Sequence, residues 1–255
     1  MKIENKNLEG DIYIVNGGVK KMDEYEQKAL SELASWKKKV AKKSGRLERM
    51  SKKAQIKMNS YIPDRVHKMI TDSIKGMIEA VLSGSKYMSK EKNVVLLSLQ
   101  QKEEWVAETV TAYRKTAIIE GVGTGAAGLV IGLADFPLLL SIKMKLLFEI
   151  SRLYGFDPNS YEERMFILYI FQMAFSSEEK KLETLGIIEE WDAGNLPEMD
   201  WQEFQQEYRD HIDVIKIFQL VPGFGAAVGA YANHHLLEQL GETAVNCYRI
   251  RLLKE

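Results

Sequence analysis

Residues 165–175 read Met-Phe-Ile-Leu-Tyr-Ile-Phe-Gln-Met-Ala-Phe. Only Gln172 is polar, so the stretch is apolar on every side of a helix. A membrane-spanning helix needs about 20 apolar residues. This stretch is too short for that and reads as a helix buried in the protein's own core. The rest of the chain must then supply the helices around it, and the spacing of apolar residues does so. Leu138 to Tyr154 is a helical stretch, opened by Asp135 in N-cap position with Phe136-Pro137 and closed by Gly155. Val66, Met69, Ile70, Ile74, Met77, Ile78 and Val81 form a second stripe that ends at Ser83-Gly84-Ser85. Tyr25, Ala29, Leu33, Trp36 and Val40 form a third. It resumes after Gly45 as Leu47, Met50, Ala54, Met58 and Tyr61. A long helix is expected from about Lys92 through Trp105 to Ile118. The five prolines all fall where a helical pattern starts or stops. Residues 11–18, Asp-Ile-Tyr-Ile-Val-Asn-Gly-Gly, are the only strand-like run and are too short to build a sheet. The expectation is an all-α, multi-helix single domain over residues 23–255, with seven to ten helices. Residues 1–22 are expected to form a loosely attached tail.

A chain of 255 residues can bury a sizeable core. With 35 Lys and Arg against 36 Asp and Glu, the formal net charge is −1, which argues against a globally basic nucleic-acid binder. The single cysteine, Cys247, excludes an internal disulfide and a cysteine-clustered zinc site. A lone cysteine suits a reducing compartment, and Cys247, near the end of a helix, is expected to pack. The first residues lack the apolar core of a signal peptide. A cytoplasmic location is therefore expected, peripheral on the inner membrane face if a surface attaches it there.

The charge is segregated. Residues 36–68 hold twelve Lys or Arg against Glu48 and Asp64, a net of +10; residues 178–210 hold eleven acids against three bases, a net of −8. Two readings stand. The segments are solvated faces that attract each other across the fold, or the basic one is aimed at anionic lipid, where each Lys or Arg contributes about 1 kcal/mol. On the second reading Trp36, Lys37, Lys38, Lys39, Lys42 and Lys43 form a membrane or partner surface, with Trp36 as an interfacial anchor.

Gly123-Thr-Gly125-Ala-Ala-Gly128 recurs as Gly223-Phe-Gly225-Ala-Ala-Val-Gly229, 100 residues later. Both runs follow a helical pattern and lead into another. Two glycine-rich apolar helical hairpins, an internal pseudo-repeat, are expected, with these six glycines letting backbones approach closely. The first run also spells a dinucleotide-binding fingerprint. That chemistry needs a second strand and an acid about 20 residues on; Asp135 comes too early and no second strand follows. Residues 121–142 carry one charge, Asp135, and are just long enough to span a bilayer. Five glycines between Gly121 and Gly132, with Pro137 beyond, favour a buried hairpin over a span, with an interfacial hairpin as the alternative.

No H-E-x-x-H, G-x-S-x-G, Walker A or C-x-x-C pattern occurs. His234 and Glu238 stand four apart on one helix face, but a metal site needs a third ligand. No catalytic residue, cofactor or metal is assigned, and the expectation is a protein that is not an enzyme.

Taken in order, the landmarks of the chain resemble the EcsC family of bacterial proteins over residues 25–253. They are Trp36-Lys37-Lys38, Tyr61-Ile-Pro-Asp-Arg-Val-His67 with Ile70, and Gly84-Ser85. Then come Glu120-Gly-Val-Gly-Thr-Gly-Ala-Ala-Gly128, Leu133-Ala-Asp-Phe-Pro137 and Tyr154-Gly155. The last are Val221-Pro-Gly-Phe-Gly-Ala-Ala-Val-Gly229, Asn233 and Tyr248-Arg249-x-Arg251. The resemblance implies a bacterial protein encoded beside an ABC transporter, whose ATPase and permease are linked to exoprotein secretion and competence. It implies no activity, cofactor or catalytic residue. A non-enzymatic accessory protein of that transporter system, with the transporter or membrane surface as partner, is the leading expectation. A lipid-binding or membrane-inserting protein that uses the hairpins at 118–154 and 218–250 is the alternative, and an enzyme with an unrecognised carboxylate or histidine site comes third.

Overall fold

In the computed structural model, the described residues are 12–15, 18–42, 64–84, 94–125, 136–193, 198–219 and 225–253. The helix that contains the apolar run, α5 (Tyr161–Ala174), begins where the Ser160 side chain accepts the Glu163 amide. Every residue from Met165 to Ala174 is buried. It touches α2 (Asp64–Ser83), α4 (Phe136–Tyr154), α6 (Glu178–Glu189), α7 (Trp201–Gln219) and α8 (Gly225–Leu252). A helix covered by five others has no solvent face on which to carry polar residues, which is why its sequence lacks amphipathic contrast.

The remaining elements are α1 (Glu24–Ala41), α3 (Leu99–Gly125), a short 3-10 turn at Trp191–Ala193 and an N-terminal β-hairpin. The eight helices of the described residues share one contiguous core and form one domain. The hairpin corrects the expectation that residues 11–18 could build no sheet. β1 (Ile12–Val15) pairs antiparallel with β2 (Gly18–Lys21), with Ile12 opposite Lys21 and Val15 opposite Gly18. Asn16-Gly17 stands between them, the composition that two-residue hairpin turns favour. Met22, directly after it, is buried.

Most helix ends match the sequence signals. α2 closes at Gly84 and α4 at Gly155, both with positive φ (72° and 95°), a conformation glycine adopts without strain. The start of α3 differs: the helix opens at Leu99, not near Lys92. The Ser98 hydroxyl accepts the Gln101 amide at 3.2 Å, and the Gln101 side chain accepts the Ser98 amide at 3.0 Å. That reciprocal pair fixes the first turn, leaving Val94–Leu97 as a turn before it. α1 has the same device in Asp23 and Glu26 and ends at Ala41, with Lys42 already extended. The resumption of its stripe at 47–61 lies outside the described residues.

Among the described residues no helix is long and apolar enough to cross a membrane. The two glycine runs each stand between consecutive packed helices, α3 with α4 and α7 with α8. Gly123 and Gly125 end α3, whereas Gly225 and Gly229 fall in the first turns of α8. Gly128, Gly223 and the residues that would form the duplicated turns lie outside the described ones.

The close approach that can be read directly is at Gly241, where α8 packs on α3. A Cβ there would sit 2.8 Å from Val110 Cγ2 and 3.1 Å from Cγ1. Valine is stiff at χ1 and cannot swing aside. Gly241→Ala gains about 1 kcal/mol of helix propensity but overpacks by about 1–3 kcal/mol, so a net loss of roughly 1 kcal/mol is expected. In a Val110→Ala background the same change should become stabilising. Urea melts of the four proteins read the coupling directly; equal effects in both backgrounds would remove the close-packing account.

Candidate functional site

The last turns of α8 carry Tyr248, Arg249 and Arg251, and each ties distant helices together. The Arg249 guanidinium donates to Glu103 of α3 at 2.8 Å from Nε and 2.6 Å from Nη2, and to Glu32 of α1 at 3.0 Å. The hydroxyls of Tyr25 and Tyr154 donate to the same Glu103 carboxylate at 2.8 and 3.2 Å. One buried carboxylate therefore receives groups from α1, α4 and α8. Burial, then the Glu103 hydrogen bond and charge, push the Tyr25 hydroxyl up to about 12.

Arg251 makes a second pair, with Glu163 of α5 at 2.7 Å. Glu163 also accepts from Tyr248 at 2.5 Å and Ser151 at 2.7 Å. Burial pushes its carboxyl above the ordinary range, against the opposing pull of Arg251 and these hydrogen bonds. The Arg251 plane lies over Phe156 and Phe166, 3.8 and 4.4 Å from the ring centroids, a placement that suits a flat, weakly hydrated cation. Both carboxylates are saturated and sealed from solvent, so they act as struts.

A third buried cation has no carboxylate pair among the described residues. Lys143 of α4 donates to the Tyr208 hydroxyl at 3.0 Å and stands 4.4 Å from the centroid of Phe175. Burial pushes its ammonium down to about 7. His211 packs against Phe175, and burial, with Lys143 and Lys181 nearby, lowers it to about 3.

A concavity among the described residues is open to solvent. A groove of about 600 Å³ runs along α2 against the start of α4. Its α2 wall is one helix face, from Arg65 and Lys68 at one end to Gly76 and Met77 at the other; Pro137 and Leu140 line the opposite side. Twelve helical steps from Arg65 to Met77 give it a length of about 18 Å. Met77 and Leu140 form a buried apolar floor, while Arg65 and Lys68 are exposed.

The basic surface is rearranged relative to expectation. Trp36 is buried with Ala29 and Leu33 in the core, which corrects its assignment as an interfacial anchor. Its stripe position outweighs its lysine neighbours. Lys37 reaches Glu189 of the acidic segment at 2.8 Å, so the two charged segments do touch there. Lys38, Lys39 and Lys42 are exposed, and Lys43 lies outside the described residues. His234 and Glu238 do share a face, and Arg114 bridges them, 3.1 Å to His234 Nε2 and 3.4 Å to Glu238. Cys247 is fully buried, which pushes its thiol up. Among the described residues no group of three His, Cys, Asp or Glu could hold a metal.

The order of landmarks along the chain now has a spatial counterpart in the α8 struts and in Gly84 and Gly155, where α2 and α4 end. The EcsC protein family model matches residues 27–253. The chain belongs to the EcsC family. Protein EcsC of Bacillus subtilis (strain 168) is 48% identical over 229 residues, covering 90% of this chain and 97% of that protein. The uncharacterized protein YdbA of the same organism is 26% identical over 251 residues, covering 89% of this chain and 92% of that one. No solved structure gives a significant match.

Several features of this EcsC-family chain were missed in sequence. The sequence reading takes Met69 and Met77 as part of an apolar stripe and makes nothing of Lys68 and Gly76, which line the groove with them. Gly76, an interior helical glycine, was the available signal, because such a residue costs about 1 kcal/mol relative to alanine and asks for a reason. The partners of Arg249 and Arg251 were out of reach, since Glu103 and Glu163 lie 146 and 88 residues away.

Proposed function

We propose that this EcsC-family protein is a non-enzymatic accessory protein that works with an ABC transporter system at the inner face of the membrane. The family relationship carries the reading, above all the likeness to Protein EcsC over nearly the whole of both chains. Two structural observations support it. The buried carboxylates Glu103 and Glu163 are committed to holding helices together. The exposed Lys38, Lys39 and Lys42 on α1 offer a cationic face beside a buried Trp36. The Lys37–Glu189 pair is partly exposed and worth at most about 1 kcal/mol, and Lys38, Lys39 and Lys42 stay open to solvent beside it.

Pull-down from native membranes, with salt and detergent varied, tests the reading: a transporter ATPase or permease should be retained in mild detergent. Retention of neither would overturn it. The surface is tested separately with anionic vesicles. Replacing Lys38, Lys39 and Lys42 by Gln should weaken sedimentation with them by about 100-fold, at roughly 1 kcal/mol per charge, and leave the melting temperature unchanged. Binding of the parent should fade as salt shortens the Debye length below about 10 Å. A variant that melts lower and binds as the parent does would mean that the lysines serve the fold.

A further inference from the structure

We propose that the groove between α2 and α4 binds a single-chain anionic amphiphile, with its head group on Arg65 and Lys68 and its apolar chain over Met69, Met77 and Leu140. This inference stands apart from the transporter reading. Its volume, about 600 Å³, falls in the range of small-molecule sites. The shape is elongated, along three turns of one helix face, which suits a chain better than a ring system.

Polarity is graded along that length. Arg65 lies in the first turn of α2, where the helix dipole adds positive potential. Arg65 is exposed and has no ion pair among the described residues. Lys68 is paired to Asp72 at 2.6 Å, but both are open to solvent, so an anion can compete for the lysine. Past Asp72, held by Lys68, and Ser73, the lining toward Gly76 is apolar, with Met77 and Leu140 buried beneath. Methionine side chains adapt to irregular apolar ligands. Gly76 keeps the far end open: a Cβ built there meets nothing within 4 Å. The competing occupant is the protein itself, since residues 126–135 precede Phe136 directly and end in an acid, Asp135.

The full chain is titrated calorimetrically with dodecyl phosphate below its aggregation concentration, and in parallel with dodecyl maltoside and inorganic phosphate. Saturable binding of dodecyl phosphate is expected, about tenfold tighter than the maltoside and far tighter than phosphate alone, because each buried methylene contributes. Gly76→Phe fills the apolar end and should weaken both amphiphiles by about tenfold or more without lowering the melting temperature. Arg65→Gln with Lys68→Gln, both at exposed positions, should abolish the preference for the phosphate head and keep the maltoside. Absence of saturable binding by the parent overturns the proposal. So does binding that Gly76→Phe leaves unchanged, which would place the ligand elsewhere. Inorganic phosphate binding as tightly as dodecyl phosphate would reduce the site to a surface anion contact. A lowered melting temperature in Gly76→Phe, with no amphiphile bound by the parent, would show that the chain fills its own groove.

Discussion

Glu103→Ala should destabilise the protein by about 3–5 kcal/mol, the loss typical of a buried charge deprived of its partner. The Arg249 guanidinium would keep only Glu32, on the half-exposed side, and the hydroxyls of Tyr25 and Tyr154 would lose their acceptor. Since the whole stability of a domain is about 5–15 kcal/mol, the variant should unfold at temperatures that the parent survives. Removing the stranded cation should recover most of the loss. Glu103→Met with Arg249→Met should be far more stable than Glu103→Ala alone, because an apolar pair of similar volume replaces a buried ion pair at little cost. Urea unfolding of Glu103→Met, Arg249→Met and the double measures this. Additive losses would mean that the carboxylate and guanidinium act independently.

The second large effect is at Lys143. Its ammonium titrates near 7 in the fold, against an ordinary value of 10.5. Between those values the unfolded chain binds a proton that the folded one does not, so stability rises with pH, by at most about 1.4 kcal/mol per unit. This contribution is lost as pH falls through about 7. Groups facing Lys143 set the limits of the window. His211, lowered to about 3, adds a separate loss as pH falls from its ordinary 6.5 toward that value. Tyr208, raised by burial, opposes the rise above about pH 10, where unfolded tyrosines ionise. Lys143→Met should therefore raise stability at pH 7 and flatten the rise between pH 7 and 9.5. Urea midpoints across that range are the readout; a parallel rise in the variant would assign it to other groups.

The fold was legible where one physical rule dominates. The 165–175 run could only be interior, and it is. Gly84 and Gly155 stop helices because each takes a left-handed conformation there. Trp36 shows two signals in conflict: its basic neighbours suggested an interface, while its place in the Ala29–Leu33 stripe required burial, and packing prevailed. The start of α3 was misplaced because Ser98 and Gln101 are polar residues whose meaning lies in their mutual hydrogen bonds. The site was less legible. A groove is a missing volume between two helices, and no residue type announces it. Lys143 was visible as a charge in an apolar helix, but its aromatic surroundings come from α7 and the end of α5, 32 to 68 positions later.

The strut from Arg249 to Glu32 joins positions 217 residues apart. A ribosome adding about 5–20 residues per second delivers α1 well before α8 exists. Until then Ala29, Leu33 and Trp36 lack part of the surface that covers them, and Glu103 has no arginine. Domain closure is thus deferred until the α8 turn bearing Tyr248–Arg251 leaves the exit tunnel. The nascent chain spends that interval with part of the α1 apolar stripe uncovered, whatever the speed of its individual helices.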